Sequence, residues 1–184
     1  MSGFNALPKH HQEVIRNIAN KHDIHVFNSG VTSGFDWESK NFRFNYNAPI
    51  SEYIHEFAHA IYDHYELYNS KEFISILSDG LDLSDWSKIK PKSIKDIYGN
   101  VHKVYLYQSD KFIDEYQGRL YFNTLLYNNT RVAFSANTQV AIDPILFQEY
   151  FSVGYEAYFY NREMLKSKDA KLFNFIERMI KNGS

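Results

Sequence analysis

The sequence predicts a single α+β domain that spans residues 1–184. Hydrophobic residues make up 44% of the chain and charged residues 23%, which suits one globular domain with a sizeable core. Helical and strand-like patterns alternate along the chain, and no repeat, low-complexity tract or domain boundary interrupts them. We therefore expect a small mixed sheet that packs beside several helices.

The composition excludes several classes of partner and chemistry. The formal net charge is −2 without a basic block, so we expect neither a nucleic-acid nor an anionic-membrane partner. The chain has no Cys, which excludes disulfides, thiolate metal sites and Cys nucleophiles. We expect no membrane span and no signal peptide, and hence a cytoplasmic protein, or a virion-associated one if a phage encodes it.

The first third of the chain predicts one helix and two strands. Pro8–Asp23 repeats apolar residues at helical spacing, and Pro8 suits a first-turn position. Ile24–Asn28 is β-prone, and Phe42–Tyr46 alternates apolar and polar residues as a half-buried strand does. Three histidines of the helix are expected on its solvated surface: His10, His11 and His22.

The middle of the chain predicts two helices, a loose connection and a strand. The helices are Ser51–Tyr68 and Lys71–Leu77. Asp79–Ile97 mixes turn-forming residues with Pro91, so we expect a long connection with little regular structure. Val101–Tyr107 is a strand candidate.

The last third predicts a hairpin followed by two helices. Leu120–Tyr127 and Arg131–Ala136 are β-prone runs joined by a short polar turn. Asp143 is a capping residue before Pro144, so a helix is expected from there to about Met164. Asp169–Lys181 predicts a final amphipathic helix.

The helix after the second strand contains a His-Glu-x-x-His motif, namely His55-Glu56-Phe57-Ala58-His59. Residues four apart lie on one helix face, so His55 and His59 can bind a single ion. Glu56 projects about 100° round the helix and can reach a water on that ion. The motif therefore predicts a Zn²⁺ site with Glu56 as catalytic general base.

A catalytic zinc site takes three protein ligands, so a third must lie elsewhere. The metzincin extension would need Gly and His where Tyr62 and Tyr65 stand. His64 is about 140° round the helix from His59. Asp63 is on the correct face, but we expect it to support the site or to lie at the surface.

The predicted helix from Asp143 to Met164 offers three carboxylates spaced seven residues apart. Seven residues is nearly two helical turns, so Glu149, Glu156 and Glu163 lie close to one face. Spacing alone does not choose among them.

The histidine motif and the Glu149-Tyr150-Phe151-Ser152 segment together resemble gluzincin-type zinc peptidases, in particular the anthrax lethal factor and Pro-Pro endopeptidase group. In that group the third ligand opens a Glu-aromatic-Phe-Ala segment, which a Leu-Lys stretch and an aromatic-x-Phe-Ile helix follow. This chain has Leu165-Lys166 and Phe173-Asn174-Phe175-Ile176. The resemblance runs from about Ile24 to the C-terminus. It implies a zincin-like domain in which Glu149 is the third zinc ligand.

The chain departs from the pattern of that group at two positions. The group often has a second Glu four residues after the ligand, where this chain has Val153; Glu156 is the expected substitute. The group also has a Tyr seven residues before the ligand that donates to the oxyanion, where this chain has Ile142. Tyr116 is our candidate for that role, with the hairpin as an insertion.

The segment Glu115–Arg119 and the spacing of the C-terminal part also resemble, more weakly, the zincin-like domains of phage minor capsid proteins. That resemblance implies a virion-associated or prophage-encoded setting.

These features predict a zinc-dependent endopeptidase in which Glu56 activates the water that hydrolyses a peptide bond. Phe42–Tyr46 is the expected edge strand, which would hold an extended peptide by strand addition. The alternative is a non-catalytic zincin-fold binding or assembly module, for example of a phage head. A third hypothesis is a regulatory peptidase that acts with a DNA-binding or sensor partner.

Overall fold

A computed structural model describes residues 2–28, 32–95, 100–121, 142 and 146–182. The helices are α1 (Ser2–Ala6), α2 (Lys9–Ala19), α3 (Ile50–His64), α4 (Lys71–Ser78), α5 (Gln148–Tyr160), α6 (Arg162–Lys168) and α7 (Ala170–Asn182). The strands are β1 (Ile24–Phe27), β2 (Gly34–Phe35), β3 (Phe42–Asn45), β4 (Ile89–Lys95), β5 (Val101–Tyr107) and β6 (Arg119–Leu120). The α+β prediction is confirmed. None of the described helices combines the length and apolar character that crossing a membrane requires.

The first sheet is mixed and has the strand order β1-β3-β2. β1 pairs with β3 in parallel, and β2 pairs with β3 antiparallel. The prediction that Phe42–Tyr46 is an edge strand is wrong, because β3 is paired on both sides. Phe42 and Phe44 are buried on its inner face while Arg43 is exposed, as the alternation predicted.

The second sheet is antiparallel, in the order β4-β5-β6. β4 lies within 79–97, so the prediction of a loose connection there is wrong for its second half. Pro91 does not prevent this strand, because β4 is an edge of the sheet and a Pro can face away from the ladder there. β5 was predicted correctly.

The central helix α3 is buried continuously from Ile54 to Tyr62 and packs against α5. The predicted end at Tyr68 is wrong. The helix stops at His64 because Glu66 adopts a left-handed conformation with φ of 47°, which a helix cannot contain. A short 3₁₀ turn follows at Leu67–Asn69.

The helix α5 is nearly surrounded by protein, since ten of its thirteen residues are buried. The predicted continuous helix to Met164 is wrong, because Asn161 leaves the helical region and separates α5 from α6. The first described helical residue is Gln148, while residues 143–145 lie outside the described part. Gly154 lets α7 approach closely, since a Cβ there would lie 2.6 Å from Leu172 Cδ2. Of the predicted hairpin only 120–121 is described.

The expected position of His11 on the solvated surface is wrong. His11 is fully buried and shares the inner face of α2 with Val14 and Ile15. Its Nδ1 atom hydrogen-bonds the Tyr155 hydroxyl over 2.6 Å, which links α2 to α5. Burial, with repulsion from His10 and His64, lowers the pKa of His11 to about 3.

Candidate metal centre

Three side chains from two helices meet where α3 packs against α5. The Nε2 atoms of His55 and His59 lie 3.0 and 3.3 Å from Oε2 of Glu149. Among the described residues these three form a group whose ligand atoms all lie within 4.8 Å of one another. All three are nearly enclosed by protein, and Glu149 is 1% exposed. The sequence-predicted trio is therefore brought together.

The geometry of this trio suits a small divalent cation. Zinc bonds to nitrogen and oxygen are about 2.0–2.1 Å, so two ligands of a tetrahedral site lie about 3.3 Å apart. The two nitrogen–oxygen distances match that value. Two imidazoles and one carboxylate are also a ligand set of catalytic zinc. The residues thus fit a zinc ion with an open coordination position.

The pKa shifts of His55 and Glu149 fit a buried cation site. Burial opposes the charged form of His55, but hydrogen bonds with Glu149 and Glu156 raise its pKa to about 10. Burial would raise the pKa of Glu149, yet the charges and hydrogen bonds of His59 and His55 hold that pKa well below its usual range. A carboxylate that stays ionised at a buried position needs positive charge around it, and a metal ion can supply that charge in place of protons.

Two further side chains orient Glu149. The Ser152 hydroxyl donates to Glu149 Oε2 over 3.1 Å, and the Tyr121 hydroxyl donates to Glu149 Oε1. Ser152 stands three residues on, so it belongs to the same helical turn. Tyr121 comes from the chain directly after β6 and was not identified from the sequence. Fixing both carboxylate oxygens limits the freedom of Glu149 to turn away from the histidines.

Glu156 approaches His55 from the side opposite Glu149. Its Oε2 atom lies 3.2 Å from Nδ1 of His55. Glu156 therefore lies where it could support the site, the role that the sequence predicts for it in place of a Glu at Val153. His59 differs from His55 in this respect, because the buried Nδ1 atom of His59 has no hydrogen-bond partner among the described residues.

Glu56 lies in the same cleft, one residue after His55, and is 7% exposed. Burial raises the pKa of its carboxyl group, against the opposing effect of His59 and His55. The backbone N–H of Phe35 faces this carboxylate and lowers its pKa slightly, against the effect of burial. A carboxyl group whose pKa is raised toward neutrality is suited to general-base work.

The strand that borders the cleft is β2 rather than β3. The backbone N–H of Asp36 donates toward the β3 side, to the carbonyl oxygen of Asn41 over 2.9 Å. Because successive residues of a strand alternate in direction, the N–H of Phe35 points away from β3, to the open edge of the sheet. The N–H of Ser33 also leaves the ladder and donates to Glu52 Oε1 over 3.0 Å. The outward N–H groups of Phe35 and of Ser33, the residue before β2, thus both face carboxylates of α3. A two-residue strand flanked by turn residues gave no periodic signal, which explains why the sequence missed it.

The opposite wall of the cleft carries two phenols and a guanidinium group. Tyr116 lies on a 3₁₀ turn at Glu115–Gly118, with its ring centroid 6.2 Å from that of His55. Arg119 donates to the Tyr116 hydroxyl over 2.7 Å and stacks on the ring of Tyr121, 4.5 Å from its centroid. Burial in the cleft and the charge of Glu149 raise the pKa of Tyr116 to about 12. Arg119 and Tyr121 were missed because no motif marks them.

Other sequence candidates lie away from the trio. Glu163 is exposed on α6, separated from α5 by Asn161. His64 is exposed. Asp63 lines the far end of the cleft and forms an ion pair with Lys40 over 2.7 Å, so it supports the cleft instead of joining the trio. Ile142, which stands where the resembled group has its Tyr, is a buried apolar residue.

Comparisons with models of protein families, with curated proteins and with solved structures found no match for the chain.

Proposed function

We propose that this protein is a zinc-dependent endopeptidase of the zincin type. One observation carries the proposal: Glu56, with its raised pKa, shares a cleft of about 670 Å³ with the trio of His55, His59 and Glu149. A purely structural metal site uses all its coordination positions for protein ligands and has no need of a base. The open cleft and the adjacent carboxyl group support catalysis instead.

The residues of the cleft divide the chemistry of peptide hydrolysis among them. A zinc ion bound by the trio would polarise the scissile carbonyl and lower the pKa of a coordinated water toward about 7. Glu56 accepts the proton of the attacking water and delivers it to the leaving amine. The Tyr116 hydroxyl, which stays protonated at neutral pH, donates a hydrogen bond to the developing oxyanion. Arg119 holds that hydroxyl in place.

The substrate is proposed to bind as an extended strand along the open edge of β2. Strand addition uses main-chain groups for affinity and side-chain pockets for specificity. The outward N–H of Ser33 already donates to Glu52, and the outward N–H of Phe35 faces Glu56. The peptide would therefore donate its own N–H to the outward carbonyl of Phe35. This pairing places the peptide backbone against the side of the cleft that holds Glu56.

The rival hypothesis is a non-catalytic binding or assembly module, and one surface feature supports it. A largely apolar groove of about 710 Å³ lies along β1, on a separate surface from the trio. Ile24, Val26 and Tyr46 are 43%, 55% and 69% exposed there. Such exposed apolar surface is typical of contact sites. It is compatible with a peptidase that also binds a partner, so it does not displace the first proposal.

Hydrolysis of an unbiased peptide library by the zinc-loaded protein tests the proposal. We expect cleavage that depends on zinc, and we expect Glu56→Gln to keep zinc while lowering the rate by about 10²–10⁴-fold, the usual contribution of a general base. Mass spectrometry of the products measures the rate, and elemental analysis measures the zinc. Normal cleavage by Glu56→Gln would refute the mechanism, and zinc binding without any cleavage would favour the binding module.

A further inference from the structure

One end of the cleft is lined by aromatic rings. Trp37 packs edge-on against His59 and Tyr62, with ring centroids 6.1 and 5.5 Å apart. Tyr68 continues the row, 6.0 Å from Tyr62. Trp37 and Tyr68 are partly exposed whereas Tyr62 is buried, so the first two present their rings to the cleft and the third supports them from behind.

The loop that holds Trp37 is fixed by its own hydrogen bonds. The backbone N–H and the hydroxyl of Ser39 both donate to Asp36 Oδ1 over 2.7 Å. Lys40, in a left-handed conformation with φ of 58°, extends over Trp37 and pairs with Asp63 of α3. The ring is therefore held in position before any ligand arrives, which lowers the entropic cost of binding to it.

The opposite end of the cleft is polar where the structure describes it. Thr32, Ser33 and Gly34 lie there, and the Arg43 guanidinium group covers Gly34 so closely that a Cβ would lie 3.1 Å from it. The two ends of the β2 side therefore offer different side-chain environments. A peptide lying along β2 would meet rings at one end and polar groups at the other.

The direction of β2 decides which part of a peptide meets the rings. Ser33 contacts Glu52, Phe35 contacts Glu56 and Trp37 contacts His59, so β2 and the following loop run in the same direction as α3. A strand added antiparallel to β2 runs the opposite way. Its N-terminal part then lies beside Trp37 and its C-terminal part beside Ser33. Antiparallel pairing is the slightly more stable choice.

We propose that Trp37 and Tyr68 form a subsite for an aromatic side chain, located on the N-terminal side of the scissile bond. The placement of the subsite relative to a scissile bond rests on the proposed peptidase function, but the subsite itself requires only the cleft. Offset and edge-to-face contacts between rings add to the gain from burial, and at the upper end of their range these contacts alone correspond to about tenfold in binding. The substrate class is thus a peptide with Phe, Tyr or Trp just before the cleaved bond.

Two measurements test the subsite separately from catalysis. Trp37 and Trp86 are the chain's two tryptophans, and Trp86 does not line the cleft, so Trp86→Phe makes Trp37 the single fluorescent reporter. We expect N-acetyl-phenylalaninamide to change its emission at concentrations at which N-acetyl-alaninamide has no effect. Separately, a peptide library cleaved by the zinc-loaded wild-type protein maps the residue before the cut.

The library is expected to give a preference of about tenfold or more for aromatic residues over Ala at that position. Trp37→Ala should lower the cleavage of aromatic-containing peptides more than that of Ala-containing peptides, so that the preference is lost, and Trp86→Ala is the matched control that should retain it. Tyr68→Leu provides a second variant in case Trp37→Ala does not fold, and should weaken the preference.

The outcomes separate the two proposals. Cleavage without aromatic preference, or with the preference after the cut, would overturn the subsite and leave the peptidase intact. A response of Trp37 to the aromatic probe without any cleavage would support the ring subsite and overturn the peptidase. If the protein shows no cleavage and no fluorescence response, both proposals are overturned.

Discussion

Nδ1 of His55 lies 3.2 Å from Oε2 of Glu156, seven residues beyond Glu149 on α5. One helix therefore approaches both nitrogens of the same imidazole ring, with Glu149 on one side and Glu156 on the other. A carboxylate on the distal nitrogen fixes the tautomer of a metal-binding histidine and raises its basicity. Glu156 is accordingly expected to tune the metal site without joining it.

Replacement of Glu156 tests that role. Glu156→Ala should weaken zinc binding by about 10- to 100-fold, the usual effect of removing such a partner, because the ring of His55 loses its orientation. Competition with a chromophoric chelator measures the affinity. Glu163→Ala is the matched control, since Glu163 is exposed on α6. Equal zinc affinities for the two variants would argue against a role for Glu156.

The two phenols of the cleft are expected to have different functions. Tyr116→Phe should keep zinc and lower kcat by about 10²–10³-fold, the usual cost of removing an oxyanion donor, with KM little changed. Tyr121→Phe should mainly weaken zinc binding, because Tyr121 holds Oε1 of Glu149. Steady-state kinetics and a zinc titration of each variant distinguish these effects. If Tyr121→Phe loses kcat at full zinc occupancy and Tyr116→Phe does not, the two roles must be exchanged.

The buried His11 predicts a stability that depends on pH. Its pKa is about 3 in the folded protein and 6.5 as an ordinary value, so the unfolded chain binds more protons between these two limits. The contribution of neutral His11 to the free energy of unfolding is therefore fully present above pH 6.5. It decreases as the pH drops below that value, by up to about 1.4 kcal/mol per pH unit. His11→Gln keeps a partner for Tyr155 but does not titrate.

Chemical denaturation at pH 7.5 and pH 5.0 measures this effect. Between these values the wild type should lose about 2 kcal/mol more of its free energy of unfolding than His11→Gln does. His25→Gln, at an exposed position on β1, should behave like the wild type. Equal pH dependence in wild type and His11→Gln would show that His11 does not carry the effect.

The sequence located the helix with the histidine motif because the i, i+4 spacing fixes the relative position of two side chains on one helix. Spacing could not choose among Glu149, Glu156 and Glu163, since tertiary packing and the break at Asn161 decide which of them faces α3. The resemblance selected Glu149, which is the one of the three that the fold brings to the Nε2 atoms of both histidines.

The border of the cleft was harder to predict for physical reasons. β2 is two residues long, so it has no alternation to detect, and its place at the sheet edge depends on pairing with β3. Pro91 was interpreted as a break, although an edge strand accommodates it. His11 appeared polar by residue type, but its position at i−3 and i−4 from Val14 and Ile15 on an amphipathic helix was a sign that it faces inward.

Zinc titration of the chelator-treated protein tests the central claim most directly. The wild type should bind one zinc per chain. Glu149→Ala should lose more zinc affinity than Glu156→Ala, for which a loss of about 10- to 100-fold is expected, because Glu149→Ala removes a direct ligand. Glu163→Ala should bind as the wild type does. A wild-type chain that binds no zinc, or a Glu149→Ala variant that binds it as tightly as the wild type, would contradict the account.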